Sequence, residues 1–202
     1  MNAVFAEKVI VLPLTSGQTV TEESRLLDGI AAQKSIFGDH IDAMRAAAPE
    51  NQKNIQDYLS AYCFGDFYTR KFLPIHEREL LTFSILASQG GCEGQVKAHV
   101  GGNATVGNGK EVLLAALTVC LPYIGFPRTL NALSCIIETF LESYDFSGKT
   151  VIPFATSGGS GMGGEDVLRS ACSKGTKWLP GKRLSSRESM ASVQKWVESL
   201  GL

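Results

Sequence analysis

Four residues in the first half of the chain have side chains suited to chemistry: Cys63, Glu79, Cys92 and His99. A cysteine reacts as its thiolate, which a helix N-terminus or a nearby imidazole stabilises. Cys92 follows two glycines and is predicted to lie in the first turn of a helix, with backbone amides directed at its sulfur. His99 lies two helical turns further along the same face. Glu79, on the preceding helix, is placed to relay a proton or to orient the imidazole.

A purely structural interpretation uses the same residues. Cys92 is then a small buried hydrophobic residue, and His99 is a hydrogen-bonded core residue. Glu79 forms an ion pair with Arg78 or Lys97 in this interpretation. The residue types alone leave both interpretations open.

Hydrophobic periodicity predicts that residues 33–143 are helical. Gly90-Gly91 is a typical helix end, and a second glycine pair, Gly101-Gly102, is expected to end the following helix. Five helices are expected in this half, over residues 51–62, 77–89, 92–100, 110–121 and 127–141. We therefore predict an all-α first half.

The pattern changes near residues 143–148. A short apolar run at 150–155 and a second at 176–184 are predicted strands, and each is followed by a predicted helix, over 165–172 and 186–200. A glycine- and serine-rich loop, 156–164, follows the first strand. The chain is thus predicted to be mainly α, with a small β-α-β-α segment after the boundary.

The composition excludes several classes of protein. The chain has 202 residues, 44% of them hydrophobic, which is enough for a core and argues against disorder. A net charge of −1 gives no electrostatic reason to expect nucleic acid or an anionic membrane as a partner. Prolines at 13, 122 and 127 interrupt the apolar runs below the roughly 18 residues of a membrane helix, so we expect a soluble chain.

The cysteines and histidines suggest a reduced, metal-free protein. Five cysteines are an odd number without framework spacing, which favours free thiols and a cytoplasmic location. The Cys92 to His99 spacing matches no usual zinc site, and the three histidines are scattered at positions 40, 76 and 99. We expect no metal.

The ordered motifs at 78–82, 91–93, 99–103, 106–108 and 121–132 resemble the carboxymuconolactone decarboxylase family. The resemblance covers residues 25–143 and leaves 1–24 as an N-terminal extension. It implies packed antiparallel helices that assemble into trimers or hexamers through hydrophobic faces. It also implies a site near His99 that acts on a small molecule.

One branch of this family, similar to alkyl hydroperoxide reductase D, uses a Cys-x-x-Cys pair followed by the histidine. Cys92 matches the first cysteine, but Gln95 stands at the second position. Cys63 is then the candidate resolving thiol. Our first hypothesis is an antioxidant oxidoreductase that reduces peroxides or disulfides, with Cys92 as the attacking thiol, His99 as its base and Glu79 as relay.

The other branch of the family decarboxylates a lactone acid. The alternative hypothesis is therefore a lyase acting on a small lactone or β-keto acid, with His99 as acid and base and the cysteines uninvolved. Arg70, Lys97 and Arg128 are available to bind the carboxylates of such a substrate.

Residues 144–161, residues 181–184 and Trp196 are similar to the C-terminal part of short-chain flavodoxin-like proteins. The resemblance implies a possible FMN site beside the loop that begins Thr156, Ser157, Gly158, Gly159. In flavodoxin-like proteins the loop that binds the FMN phosphate follows the first strand of the domain. The N-terminal portion of the domain that contains this loop is not recognisable in this sequence. A third hypothesis is therefore an FMN-binding or non-catalytic fusion protein, whose C-terminal fragment packs on the helical domain or pairs with another copy.

Overall fold

A computed structural model describes residues 2–156, 162–185 and 187–201 of the chain, without the side chain of Asn2. The fold is mainly helical, as predicted, and its strands are short parallel pairs. The residues divide into two compact units, 1–129 and 130–202. The sequence boundary near 143–148 stays a prediction.

Helices account for nearly all the regular structure of the first unit and continue into the second. The bounds are α1 Asn2–Glu7, α2 Arg25–Phe37, α3 His40–Ala47, a 3₁₀ turn Glu50–Gln52, α4 Lys53–Tyr58, a π-helix Leu59–Tyr68, α5 Ile75–Gln89, α6 Glu93–Thr105 and α7 Lys110–Ser143.

Helix α2 crosses the π-helix at two glycines, with no room for a side chain between the backbones. A Cβ atom on Gly29 would lie 2.0 Å from the carbonyl oxygen of Ser60, and one on Gly65 would lie 2.2 Å from that of Arg25. A buried polar link adds to this contact, since the Ser60 hydroxyl donates to Gln33 Oε1 at 2.5 Å. The crossing therefore fixes the π-helix against α2 at close range.

The crossing closes over a hydrophobic cluster that lies beside the candidate site. Ile36, Phe64 and Tyr68 form its buried centre, and Phe37 and Cys63 pack against it. Phe37 meets Phe64 edge to face, with ring centroids 5.9 Å apart. Residues five apart share a face in the i→i+5 hydrogen-bonded π-helix, so Cys63 and Tyr68 are presented together.

Helices α5 and α6 form an antiparallel pair joined at Gly90 and Gly91, which have positive φ values of 73° and 70°. The predicted end of α6 before Gly101 is wrong, because the helix continues to Thr105. Gly102 packs directly against α5 and α2 side chains, so tertiary contact outweighs the low helix propensity of the glycine pair.

Helix α7 continues past the predicted end at Leu121 and through Pro122, whereas the predicted start of a second helix at Pro127 agrees with the structure. Its backbone breaks instead at Gly125, where φ is 73° and ψ is 170°. Pro127 then falls in the first turn after the break, where a missing N–H costs nothing. By length and composition alone α7 is apolar enough to cross a membrane.

Among its described residues, the second unit contains two separate strand pairs and two helices after α7. Strands β1 Thr150–Val151 and β3 Lys177–Trp178 pair in parallel, as do β2 Phe154–Ala155 and β4 Lys182–Arg183. Helix α8 spans Glu165–Ala171 and α9 spans Met190–Ser199.

The strand predicted at 150–155 is two short strands, β1 and β2, and the strand predicted at 176–184 is also two, β3 and β4. The prediction of one continuous strand in each place is wrong. Pro153 and Pro180 stand between the members of each broken strand. A proline has no N–H to continue a ladder of hydrogen bonds.

We expect Gly65→Ala to destabilise the protein by about 2 kcal/mol or more, since the methyl group would meet backbone that cannot rotate away. Gly94→Ala is the matched control, because a Cβ there meets nothing within 4 Å and alanine favours the helix by about 0.5–1 kcal/mol. Urea denaturation followed by circular dichroism measures both. Equal stability of the two variants would contradict the close crossing.

Candidate functional site

The centre of the site is a buried pair formed by Glu79 of α5 and His99 of α6. The Glu79 carboxyl is fully buried, and its Oε1 lies 2.5 Å from His99 Nδ1. Since a carboxylate oxygen accepts, Nδ1 carries the proton and Nε2 is left as the basic nitrogen. The His99 side chain is 13% exposed, which leaves the imidazole a narrow access to solvent. The pair has the arrangement of an oriented general base.

Two buried asparagines hold the helices of this pair in register. Asn103 Nδ2 donates to the backbone carbonyls of Glu79, at 3.1 Å, and of His99, at 2.7 Å. Asn108 donates to Asn103 Oδ1 at 2.8 Å and to the carbonyl of His76 at 2.7 Å. One amide thus spans α5 and α6 at the level of the reactive groups. Both asparagines lie in the sequence motifs 99–103 and 106–108, but no role was predicted for them. The four-residue spacing of His99 and Asn103 nevertheless places these two residues on one face of the helix.

Helix α2 closes one side of the pair. The Phe37 ring meets the His99 ring edge to face, with centroids 5.2 Å apart. A Cβ on Gly102 would lie 2.5 Å from Glu79 Oε1 and 2.8 Å from Ile36 Cγ2. The carboxyl therefore occupies the space that a side chain at position 102 would need.

The π-helix contributes Tyr68, which the sequence analysis did not single out. Its hydroxyl lies 2.8 Å from Glu79 Oε2 and 2.5 Å from Thr82 Oγ1. Burial raises the pKa of Tyr68 above its ordinary value, with Glu79 adding to the shift, so the hydroxyl stays protonated. Both oxygens of the Glu79 carboxyl thus have partners.

Cys63 lies next to this network but in an environment that disfavours its thiolate. Burial raises the pKa of the Cys63 thiol, and the negative charge of Glu79 raises it further. A resolving cysteine acts through its thiolate, so the surroundings of Cys63 oppose the predicted role.

Cys92 lies at the N-cap of α6, where the helix start was predicted, but its sulfur makes no capping hydrogen bond with the backbone amides of the first turn. Its Sγ instead donates to the carbonyl of Leu86, with 3.4 Å between sulfur and oxygen. The residue one turn before His99 is the exposed Gln95, whereas Cys92 lies two turns away, about 10 Å along the axis. The imidazole therefore faces no thiol on its own helix within one turn.

The three cationic residues proposed to bind substrate carboxylates lie in different places. The Arg128 side chain packs over Gly90, with Nε 3.2 Å from the position of a Cβ there. Arg70 lines a cavity of about 290 Å³ with Arg25 and Asp66. Lys97 lies on α6, two residues before His99.

The predicted FMN loop falls mostly outside the described residues. Thr156 follows β2 and is exposed, whereas Ser157, Gly158 and Gly159 are not described. Within 2–156, 162–185 and 187–201 no sheet has more than two strands, and no three His, Cys, Asp or Glu residues form a metal-binding group. FMN binding stays a prediction.

Comparison with known proteins agrees with both resemblances. The carboxymuconolactone decarboxylase family matches residues 53–138, which include the π-helix, α5 and α6. Residues 53–138, which contain Glu79 and His99, are thus similar to the carboxymuconolactone decarboxylase family. Over 124 residues the chain is 24% identical to a 4-carboxymuconolactone decarboxylase of Acinetobacter baylyi, covering 61% of this chain and 92% of the relative.

The second match is a flavodoxin family over residues 114–200. It begins inside α7 and overlaps the end of the carboxymuconolactone decarboxylase match. The match includes residues 144–200, where the sequence resembles flavodoxin-like proteins.

We expect Gly102→Ala to separate Glu79 from His99, because the new methyl group would occupy the position of the carboxyl. Gly101→Ala in the same helix is the matched control, since a Cβ there meets nothing within 4 Å. The His99 ring signals in an NMR spectrum should move in the first variant and stay in place in the second. Unchanged His99 signals in Gly102→Ala would contradict the packing described.

Proposed function

We propose that the family domain is a lyase that decarboxylates a small carboxylated lactone or keto acid, with His99 as its acid and base. The observation that carries this proposal is the buried Glu79–His99 pair, which orients Nε2 as the basic nitrogen. The relative named 4-carboxymuconolactone decarboxylase, of which 92% aligns with this chain, supports a substrate of this class.

The residues supply the proton that decarboxylation requires. Loss of CO₂ breaks a carbon–carbon bond and leaves its electron pair on the substrate as an enolate, which must take up a proton at carbon. His99 takes a proton from solvent at Nε2 and delivers it to that carbon. Glu79 stabilises the imidazolium in the interval, because its charge lies 2.5 Å from Nδ1. His99 is neutral again after the transfer.

Thiol-dependent reduction of peroxides or disulfides is the second candidate. It is favoured by the fact that Cys63 and Cys92 are both free and partly exposed. In that reaction a hydroperoxide and two thiols give an alcohol, water and a disulfide. The raised pKa of Cys63 and the bond from Cys92 to the Leu86 carbonyl weigh against it. We therefore rank it below acid–base chemistry.

We expect His99→Ala to lower the rate of CO₂ release from 4-carboxymuconolactone by about 10²–10⁴-fold, the usual contribution of a general acid or base. The double variant Cys63→Ser with Cys92→Ser should retain the activity. His40→Ala, at an exposed position on α3, is the control for loss of an imidazole as such. Absorbance of the lactone and trapping of CO₂ measure the rate.

The opposite pattern would contradict the lyase proposal. If the cysteine double variant lost the activity while His99→Ala kept it, the chemistry would belong to the thiols. Peroxide consumption that forms a Cys63–Cys92 disulfide would then support the second candidate.

We also propose that the domain forms a homo-oligomer through the α5–α7 face, defined by Leu81, Ile85, Val119 and Tyr123. These four side chains are 53–86% exposed. Two of them, Leu81 and Val119, line an open cavity of about 340 Å³ between α5 and α7. Such apolar exposure marks an interaction surface, and the family resemblance implies copies of the same chain as its occupant.

We expect Leu81→Glu with Val119→Glu to reduce the molar mass in solution, since two charges would have to be buried in the interface. Leu27→Glu is the matched control, because Leu27 is 71% exposed on α2, outside this face. Size-exclusion chromatography with light scattering gives the mass. A mass unchanged from the wild type in the double variant would rule out this face as the interface.

A further inference from the structure

The Tyr68 hydroxyl contacts two oxygen atoms, but it has one proton and can donate to only one of them at a time. It lies 2.8 Å from Glu79 Oε2 and 2.5 Å from Thr82 Oγ1. Thr82 Oγ1 is in turn 3.0 Å from the backbone carbonyl of Arg78, which can only accept. Three oxygen–oxygen contacts thus link Glu79, Tyr68, Thr82 and the Arg78 carbonyl in a row.

The number of protons in this row depends on the charge of Glu79. The two hydroxyl groups bring two protons, which serve two of the three contacts when the carboxyl is ionised. When Glu79 is protonated at Oε2, it donates to Tyr68, Tyr68 donates to Thr82, and Thr82 donates to the Arg78 carbonyl, so all three contacts become hydrogen bonds. The oxygen to which the Tyr68 hydroxyl donates therefore depends on whether Glu79 is protonated. In turn, the direction of that hydrogen bond changes how strongly Glu79 holds a proton.

We propose that Tyr68 is a positioning residue that sets the proton affinity of the Glu79–His99 pair by sharing its hydroxyl proton between Glu79 and Thr82. This inference rests on the proposed function, because the pair is the acid–base group of that proposal. When Tyr68 donates to Glu79 it stabilises the ionised carboxyl and weakens it as a base. When it donates to Thr82 the carboxyl holds a proton more strongly.

Two other titratable or charged groups interact with Tyr68 or Glu79 among the described residues, and one of them is Arg78 of α5, whose charge acts on Tyr68. From the π-helix, Cys63 interacts with Glu79 and Tyr68, and its raised pKa keeps it neutral near pH 7. From α2, the neighbours are Ile36 and Phe37, which do not titrate. Tyr68 is therefore the neighbour whose hydrogen bond acts directly on the carboxyl that His99 contacts.

The test is an NMR titration of the His99 imidazole in the 202-residue chain, with His99→Gln used to assign the signal. In Tyr68→Phe the carboxyl loses a donor and becomes a stronger base, so His99 should titrate about one pH unit higher. In Thr82→Val the Tyr68 proton is committed to Glu79, so His99 should titrate at lower pH than in the wild type. Tyr62→Phe, at an exposed position on the same π-helix, should leave the titration unchanged.

The two variants should shift the His99 titration in opposite directions if Tyr68 controls the proton affinity of the pair. A merely structural role of Tyr68 would not produce shifts of opposite sign. His99 titration that is unchanged in Tyr68→Phe, or shifted in the same direction in both variants, would overturn the proposal. If Tyr68→Phe fails to fold, a downward shift in Thr82→Val supports the proposal and the absence of that shift overturns it.

The same variants distinguish this inference from the proposed reaction. If decarboxylation occurs, the acid limb of kcat/KM should move with the His99 titration in each variant. Opposed His99 shifts in a protein that releases no CO₂ would support the role of Tyr68 while contradicting the lyase.

Discussion

The buried carboxyl of Glu79 is the constraint on which the arrangement of α5, α6 and the π-helix depends. An ionisable group that is fully removed from water costs several kcal/mol unless it is paired and hydrogen-bonded. Here the partners come from two other helices, His99 on one oxygen and Tyr68 on the other. A shift of α6 or of the π-helix would leave one oxygen of the buried carboxyl without its partner, so the carboxyl favours one position of each helix.

Close backbone approach makes this arrangement sterically feasible. Gly102 leaves room for the carboxyl beside α6, and Gly29 and Gly65 let α2 and the π-helix approach until their backbones meet. Asn103 then fixes the register by bridging the carbonyls of Glu79 and His99. The glycines allow the helices to approach closely, and Asn103 fixes their relative position along the helix axes. Together these two contacts orient the His99 imidazole.

The sequence was informative where a helix has a regular apolar period and where motifs are local. It predicted α5 and the start of α6. It offered a contact between Glu79 and His99 as one of two interpretations, the other being an ion pair of Glu79 with Arg78 or Lys97. It could not predict that α6 continues through Gly101 and Gly102, because the reason is the space that Glu79 occupies. Nor does an α-helical period reveal a π-helix, so the sequence offered no reason to place Tyr68 at the site. The contact of the Cys92 sulfur was not predicted, because the Leu86 carbonyl that receives it belongs to the preceding helix.

The lyase proposal depends on the Glu79–His99 pair, in a chain similar over 124 residues to a 4-carboxymuconolactone decarboxylase. The most direct test of the central claim is the tautomer of His99, read from long-range proton–nitrogen correlations of the imidazole at neutral pH. The account predicts a protonated Nδ1, bonded to Glu79, and an unprotonated Nε2. A ring with its proton on Nε2 and a bare Nδ1 would contradict it, because Glu79 would then not orient His99 as a base.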